Sequence, residues 1–221
     1  MSVAAVVFDL DGVIIDSEPL WEEVRRRFVA DCGGQWAPDT QRRLMGMSTG
    51  EWSAYLSGEL GVGMPAGEVA KAVIERMVER YRDAIPEIAG AVQVVRDIGA
   101  SWPLGLASSS PRRLIDSVLE GTGLIEAFSV TVSTEEVARG KPSADVYLAV
   151  AQKLGVPPAR CVAVEDSNNG ILAAVAAGMC TVAVERPEYP LDKNISAAAA
   201  LRLTGIEQLT PTAVAGMDVP A

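Results

Sequence analysis

The residues of this chain that could do chemistry at neutral pH are few, and they recur at one kind of place. Asp9-Leu10-Asp11 sets two carboxylates two residues apart where an apolar run stops at Phe8. Gly12 follows and permits a turn, so Asp9 and Asp11 can address one site. Glu165-Asp166 repeats the pattern after the run CVAV, and Ser167-Asn168-Asn169-Gly170 opens the next helix. Ser108-Ser109-Ser110 follows the run PLGLA, with Pro111 at the start of a helix. A hydroxyl and N–H groups at such a junction form a cradle for an anion. Lys141 stands in Arg139-Gly140-Lys141-Pro142 ahead of another helix, and Pro142 biases it to an extended backbone. Each group alone has a plainer reading: a solvated loop of helix-capping acids, an N-cap serine before proline, a surface lysine. Taken together they converge. Four acids at one place repel strongly unless a cation neutralises them. Histidine is absent, which removes Ser-His-Asp hydrolysis, Cys-His proteolysis, His-ligated zinc and His phosphotransfer. The natural cation is then a hard one held by oxygen, Mg²⁺. An aspartate pair, a hydroxyl, a lysine and a second acidic pair make a kit for phosphoryl transfer. Mg²⁺ and lysine neutralise phosphate charge, one Asp attacks phosphorus to give an aspartyl-phosphate, and a second acts as acid and then base.

These groups need elements to hold them. Residues 2–8, 103–107, 128–132, 161–164 and 180–184 read as short strands buried on both faces. Helical stretches at 88–98, 112–119, 144–154 and 170–177 lie between them and end near Gly99, Gly121, Gly155 and Gly178. Regular alternation predicts an α/β fold with a doubly wound, parallel, Rossmann-like sheet. Residues 17–85 break the rhythm, with helices at 19–31, 39–44, 50–60 and 67–82 punctuated by Gly33-Gly34, Gly46 and Gly61-Val62-Gly63. The expected organisation is a core of residues 1–16 and 86–221 with a small all-helical cap, 17–85, inserted after the first strand. Such an insert can hinge over the C-terminal edge of the sheet, where open α/β sheets bind ligands. The Ala-rich stretch 196–203 is too short to be low complexity, and residues from 211 onward read as a loose tail.

Composition narrows the function. The 221 residues are 49% hydrophobic, enough for a core. With 19 basic against 29 acidic residues the net charge is −10, a poor match for polyanionic partners such as nucleic acid or an anionic membrane. No apolar run approaches a membrane span. The first residues lack the basic segment of a signal peptide, and the three cysteines, Cys32, Cys161 and Cys180, are odd in number and far apart. Both features fit a reducing cytoplasm.

The segments VVFDLDGVIIDSE, GLASSS, RGKPSADVY and VAVEDSNNGILAAVAAGM stand in this order across the core. In these motifs the chain resembles the haloacid dehalogenase superfamily. The helical insert looks like that family's C1 cap, and the branch is similar to the one containing beta-phosphoglucomutase and small phosphosugar phosphatases. The resemblance implies that Asp9 is the nucleophile and a metal ligand, and that Asp11 is the general acid/base and offers its backbone carbonyl to the metal. It implies that Ser108, with Ser109, holds phosphate, that Lys141 bridges nucleophile and phosphate, and that Asp166 binds Mg²⁺ with Glu165 supporting it directly or through water. Beta-phosphoglucomutase places a histidine in the first cap helix where this chain has Trp21, a lysine after the motif II serines where it has Pro111, and an arginine where it has Thr49. Ser17-Glu18-Pro19-Leu20-Trp21 instead resembles hexitol- and sugar-phosphate phosphatases. The expectation is an Mg²⁺-dependent phosphatase of a small phosphorylated metabolite, monomeric or weakly homo-oligomeric; the alternative is a phosphomutase. Glu18, Trp21, Trp52 and Met47 are candidate pocket-lining residues, with plain packing in the cap as the other reading of Trp21. A phospho-acceptor receiver domain also combines Asp, Mg²⁺, hydroxyl and Lys but lacks a cap insert. A dehalogenase needs no acid at Asp11.

Overall fold

The computed structural model describes residues 2–44 and 47–219; Gly46, expected to separate two helices, lies outside the described residues. Six strands form one sheet: β1 (Ala5–Phe8), β2 (Leu104–Ser108), β3 (Val130–Ser133), β4 (Cys161–Glu165), β5 (Cys180–Val184) and β6 (Leu201–Leu203). Their order is β3-β2-β1-β4-β5-β6, and every pairing is parallel. All four residues of β1 are buried, as an apolar run at the centre of a sheet covered on both faces must be. The helices are α1 (Glu18–Asp31), α2 (Thr40–Leu44), α3 (Thr49–Gly58), α4 (Ala66–Asp83), α5 (Ala91–Gly99), α6 (Arg112–Thr122), α7 (Asp145–Leu154), α8 (Asn168–Ala176), α9 (Lys193–Ser196) and α10 (Pro211–Ala215).

The chain divides into two compact units, Met1–Asp16 with Pro86–Ala221, and Ser17–Ile85. The first holds the sheet. Ala5 and Val7 of β1, Ala107 of β2, and Cys161 and Ala163 of β4 form one buried cluster with Val146, Tyr147 and Val150 of α7 and Ala173 and Ala174 of α8. Side chains alternate along a strand, so Phe8 faces the other way, where its ring meets Phe128 edge-on at 6.2 Å. The second unit is α1–α4. Val69, Val73, Met77 and Tyr81 recur every fourth residue on α4 and are buried, the stripe of an amphipathic helix. Ser48 and Glu51 close a capping box at the start of α3, satisfying N–H groups that the helix itself leaves unpaired. The ion pairs Arg80–Glu23 and Arg76–Asp31 tie α4 to α1, but their side chains are more than a third exposed, so they add little beside the apolar packing.

Three local expectations are corrected. Helix α6 runs one residue past Gly121 to Thr122 and is stopped by Gly123, whose φ of 66° is the left-handed conformation that ends helices. Helix α5 starts at Ala91 rather than residue 88, because Ile88 N–H bonds Ile14 C=O beside an antiparallel bridge between Ile15 and Glu87. The described residues from 211 onward are not loose, and the segment before them is ordered too. Leu201–Leu203 adds an edge strand to β5, and Thr210 caps α10 through Ala213 N–H. Val214 of α10 is fully buried. Val214→Ala is therefore expected to lower unfolding free energy by about 1–3 kcal/mol. Urea denaturation reads this directly; an unchanged midpoint would return the tail to a loose end.

Candidate active site

The register of the sheet and the alternation of its side chains build the site. Phe8 of β1 pairs with Leu106 of β2 on one side and Val164 of β4 on the other. One residue further on, Asp9 keeps the ladder going, its N–H bonding Val164 C=O at 3.0 Å. Asp9 is two residues beyond Val7, and Glu165 two beyond Ala163. Both carboxylates therefore project to the face covered by α7. From that face Lys141, ahead of α7, reaches between them. Its Nζ donates to Asp9 Oδ1 at 2.6 Å, Glu165 Oε1 at 2.5 Å and Ala107 C=O at 3.0 Å. An ammonium has three protons, and all three are used. The Lys141 side chain is 5% exposed and that of Glu165 is fully buried, so pair and hydrogen bonds are both needed to offset the loss of water.

Glu165 is saturated by donors. Tyr147 O–H, from α7, donates to its Oε1 at 2.7 Å. Oε2 accepts from Asp166 N–H, Ser167 N–H and Ser167 O–H at 3.2, 3.3 and 3.1 Å. Ser167 in turn caps α8 through Gly170 N–H. A Cβ on Gly170 would lie 1.9 Å from the Glu165 carboxyl carbon, so only glycine lets α8 start this close to the buried acid. Gly12 makes a second such space. Its φ is +80°, and a Cβ there would fall 1.8 Å from Asp166 Oδ2. The bare backbone of the first loop is what allows Asp166 to close on it.

Asp9, Glu165 and Asp166 each offer an oxygen within 4.8 Å of the others. Burial raises the Asp9 carboxyl well above the usual carboxylate range; Lys141 pulls it down, but Glu165, Asp11 and Asp166 push it up. Burial, reinforced by Glu165, pushes Asp166 up to about 7 against the pull of Arg186 and Lys141. Burial alone would lower the Lys141 ammonium, but Asp9 and Glu165 outweigh it and hold it above the ordinary lysine value. One ammonium and one guanidinium do not balance this crowd of carboxylates. The donor set is all oxygen and short of positive charge, which fits a hard divalent cation such as Mg²⁺.

Asp11 takes a different direction. Its Oδ2 accepts from Ser110 O–H at 2.7 Å and lies 3.5 Å from Ser108 Oγ. Ser108 ends β2, is fully buried, and accepts Ser110 N–H at 3.0 Å; Ser109 between them is exposed. Ser133 of β3, opposite Ser108 in the sheet, donates to Ser110 C=O at 2.7 Å and fixes the loop from behind. The expected residues Asp9, Asp11, Ser108, Lys141, Glu165 and Asp166 thus all stand at the C-terminal ends of β1, β2 and β4 or directly ahead of α7. Glu18 and Trp21 lie in the helical unit. Glu18 accepts from Gln41. Trp21, expected as a substrate contact, is buried, stacked beneath the Arg25 guanidinium at 4.4 Å and 5.9 Å from the Trp52 ring; its surroundings are those of a packing residue, as are those of Trp52. Tyr147, Ser110, Ser167 and Arg186 also belong to the site, although their places in the sequence do not by themselves mark them for it. For Ser110, adjacency to Ser108 and Ser109 was the available signal.

Residues 3–178 match the family model described as haloacid dehalogenase-like hydrolase. Hexitol phosphatase B of Escherichia coli (strain K12) is 35% identical over 216 residues, 94% of this chain and 95% of that protein. A phosphorylated carbohydrates phosphatase of Thermotoga maritima is 33% identical over 79% of this chain and 82% of its own length. The crystal structure of CbbY from Rhodobacter sphaeroides in complex with phosphate superposes with a TM-score of 0.85, covering 97% of this chain and 100% of that one at 24% identity, a likeness of fold.

The buried network makes two predictions. Tyr147→Phe keeps the ring and removes one donor from a fully buried carboxylate, so it is expected to cost about 1–3 kcal/mol of stability. Gly170→Ala forces a methyl group onto the Glu165 carboxyl and is expected to cost at least as much. Chemical denaturation of both variants checks this; wild-type midpoints would mean that Glu165 is not held as described.

Proposed function

Because the chain belongs to the haloacid dehalogenase-like hydrolases and is a phosphoric monoester hydrolase, we propose that it removes phosphate from a small phosphorylated sugar or polyol through an aspartyl-phosphate on Asp9. The observation that carries this reading is the Asp9 carboxylate held at the end of the central strand by Lys141, beside Glu165 and Asp166. The hexitol phosphatase and carbohydrate phosphatase likenesses, which span most of each chain, carry the substrate class.

In this reading Asp9 Oδ2, the oxygen not bonded to Lys141, attacks phosphorus. The bond to the leaving alcohol breaks, and Asp11 gives that oxygen a proton. The carboxylate left on Asp11 then takes a proton from water, which attacks the phosphoryl group and frees Asp9. Ser110 O–H orients Asp11 for both transfers. Ser108 and Ser109, at the junction into α6, hold phosphoryl oxygens. Lys141 neutralises their charge and keeps Asp9 in line for attack. Asp9 and Asp166, with the Asp11 carbonyl, would hold Mg²⁺, while Glu165, whose oxygens are already saturated, supports Lys141 and the turn into α8. The ion supplies charge neutralisation for the transferring phosphoryl group. Glu18 is proposed as a substrate contact.

Phosphate release from a panel of sugar, polyol and nucleoside monophosphates tests the proposal, with Mg²⁺ and with EDTA. Release should require Mg²⁺, favour the sugar and polyol phosphates, and vanish in Asp9→Asn. Asp11→Asn should slow turnover by roughly 10²–10⁴. Beta-glucose 1-phosphate converted to glucose 6-phosphate without free phosphate would overturn hydrolysis in favour of a mutase. EDTA-insensitive turnover would overturn the metal assignment.

A further inference from the structure

Arg186 enters neither the motifs nor the chemistry above, yet it is the second cation at this sheet edge. It lies two residues beyond the end of β5. Its side chain is 13% exposed, and its guanidinium stacks on the Tyr189 ring at 4.8 Å. The two ends of its fork address different carboxylates. Nη2 donates to Asp16 Oδ1 at 2.5 Å, and Nη1 stands 3.6 Å from Asp166 Oδ2. Gly12 is what lets it come so close: a Cβ at Gly12 would lie 2.9 Å from Arg186 Nη1.

Asp16 has a particular place in the chain. It is the last residue of the sheet-bearing unit before the chain enters the helical one, and Pro86 is the first on return. Asp16 N–H bonds Pro86 C=O at 2.8 Å, and the Ile15–Glu87 bridge and the Ile88-to-Ile14 hydrogen bond continue this pairing. Arg186 therefore joins a proposed metal ligand to the pair of segments through which the chain leaves and re-enters its core. A planar fork can hold two carboxylates at once, which a lysine ammonium on a flexible stem does less well.

We propose that Arg186 is a positioning residue that couples cation binding at Asp166 to the ordering of the Asp16–Pro86 junction. The coupling is a competition, and it rests on the metal reading given above. A divalent cation and a guanidinium cannot both take full advantage of Asp166. When the cation binds, it displaces Arg186 Nη1 from that oxygen, and the guanidinium stays on Asp16, which Nη2 already holds. Asp16 thereby helps the cation in, and by linkage the cation tightens the Arg186–Asp16 pair. Removing Asp16 leaves Arg186 on Asp166 and weakens the cation. Removing Arg186 abolishes the effect of Asp16 altogether.

The test is Mg²⁺ binding to the full chain, without substrate, by titration calorimetry in a double-mutant cycle of Asp16→Asn and Arg186→Met, with Arg186→Lys as a second background. Asp16→Asn should weaken Mg²⁺ at least about fivefold when Arg186 is present and leave it unchanged in Arg186→Met. Arg186→Met alone should bind Mg²⁺ more tightly than wild type, and Arg186→Lys should lose most of the coupling. Hydrogen exchange at the Asp16 amide should slow on adding Mg²⁺ to wild type and not to Arg186→Met. An equal effect of Asp16→Asn in both backgrounds, or none in either, would overturn the coupling while leaving the metal site intact. Failure of the wild-type chain to bind Mg²⁺ would overturn the metal reading and this inference with it.

Discussion

A lysine ammonium taken out of water must find a partner for each of its protons and charge to match. Lys141 does so with Asp9, Glu165 and the Ala107 carbonyl, and nearly everything near the site follows from that demand. The partners come from three adjacent parallel strands, so the sheet must be in register for the ammonium to be satisfied. Glu165 can serve only because Tyr147, Ser167 and the start of α8 supply the rest of its hydrogen bonds. Breaking one member of such a buried group leaves charge unpaired, which costs far more than the pair itself contributes.

The same demand leaves a surplus of negative charge. Lys141 compensates Asp9 and Glu165, and Arg186 leans partly on Asp166, so the site is built short of one cation. That shortage is what the proposed divalent ion would relieve, and an anionic phosphoryl group could enter such a site only with that relief. Asp11 turns its carboxylate onto Ser110, where it still adds to the charge that Asp9 and Asp166 meet. Two glycines set how tightly the parts close: Gly12 under Asp166 and Gly170 under Glu165.

The alternation of strand and helix was legible because strands buried on both faces must be short apolar runs, and 180–184 matches β5 end to end. The positions of Asp9, Lys141, Glu165 and Asp166 were legible for a related reason: a charged group directly after such a run stands at the sheet edge. What was not legible depends on contacts far apart in sequence. Tyr147 reads as an apolar helix residue until its hydroxyl is known to reach Glu165 of β4, and Arg186 meets Asp16 across 170 residues. Strand β6 is three residues long and takes its identity from pairing with β5 rather than from its own pattern. Helix α10 is only five residues, too short for a periodicity to show. For Trp21 the motif leaves pocket lining and packing both open, and only the fold shows the indole beneath Arg25 and beside Trp52.

The measurement that tests the central claim most directly is acid quench of the enzyme during turnover of its best sugar or polyol phosphate, followed by peptide mapping. The account predicts a phosphoryl group on the peptide carrying Asp9, accumulating when Asp11→Asn slows its hydrolysis and absent in Asp9→Asn. Turnover that proceeds with no phosphoryl group on that peptide, in wild type and in Asp11→Asn alike, would contradict it.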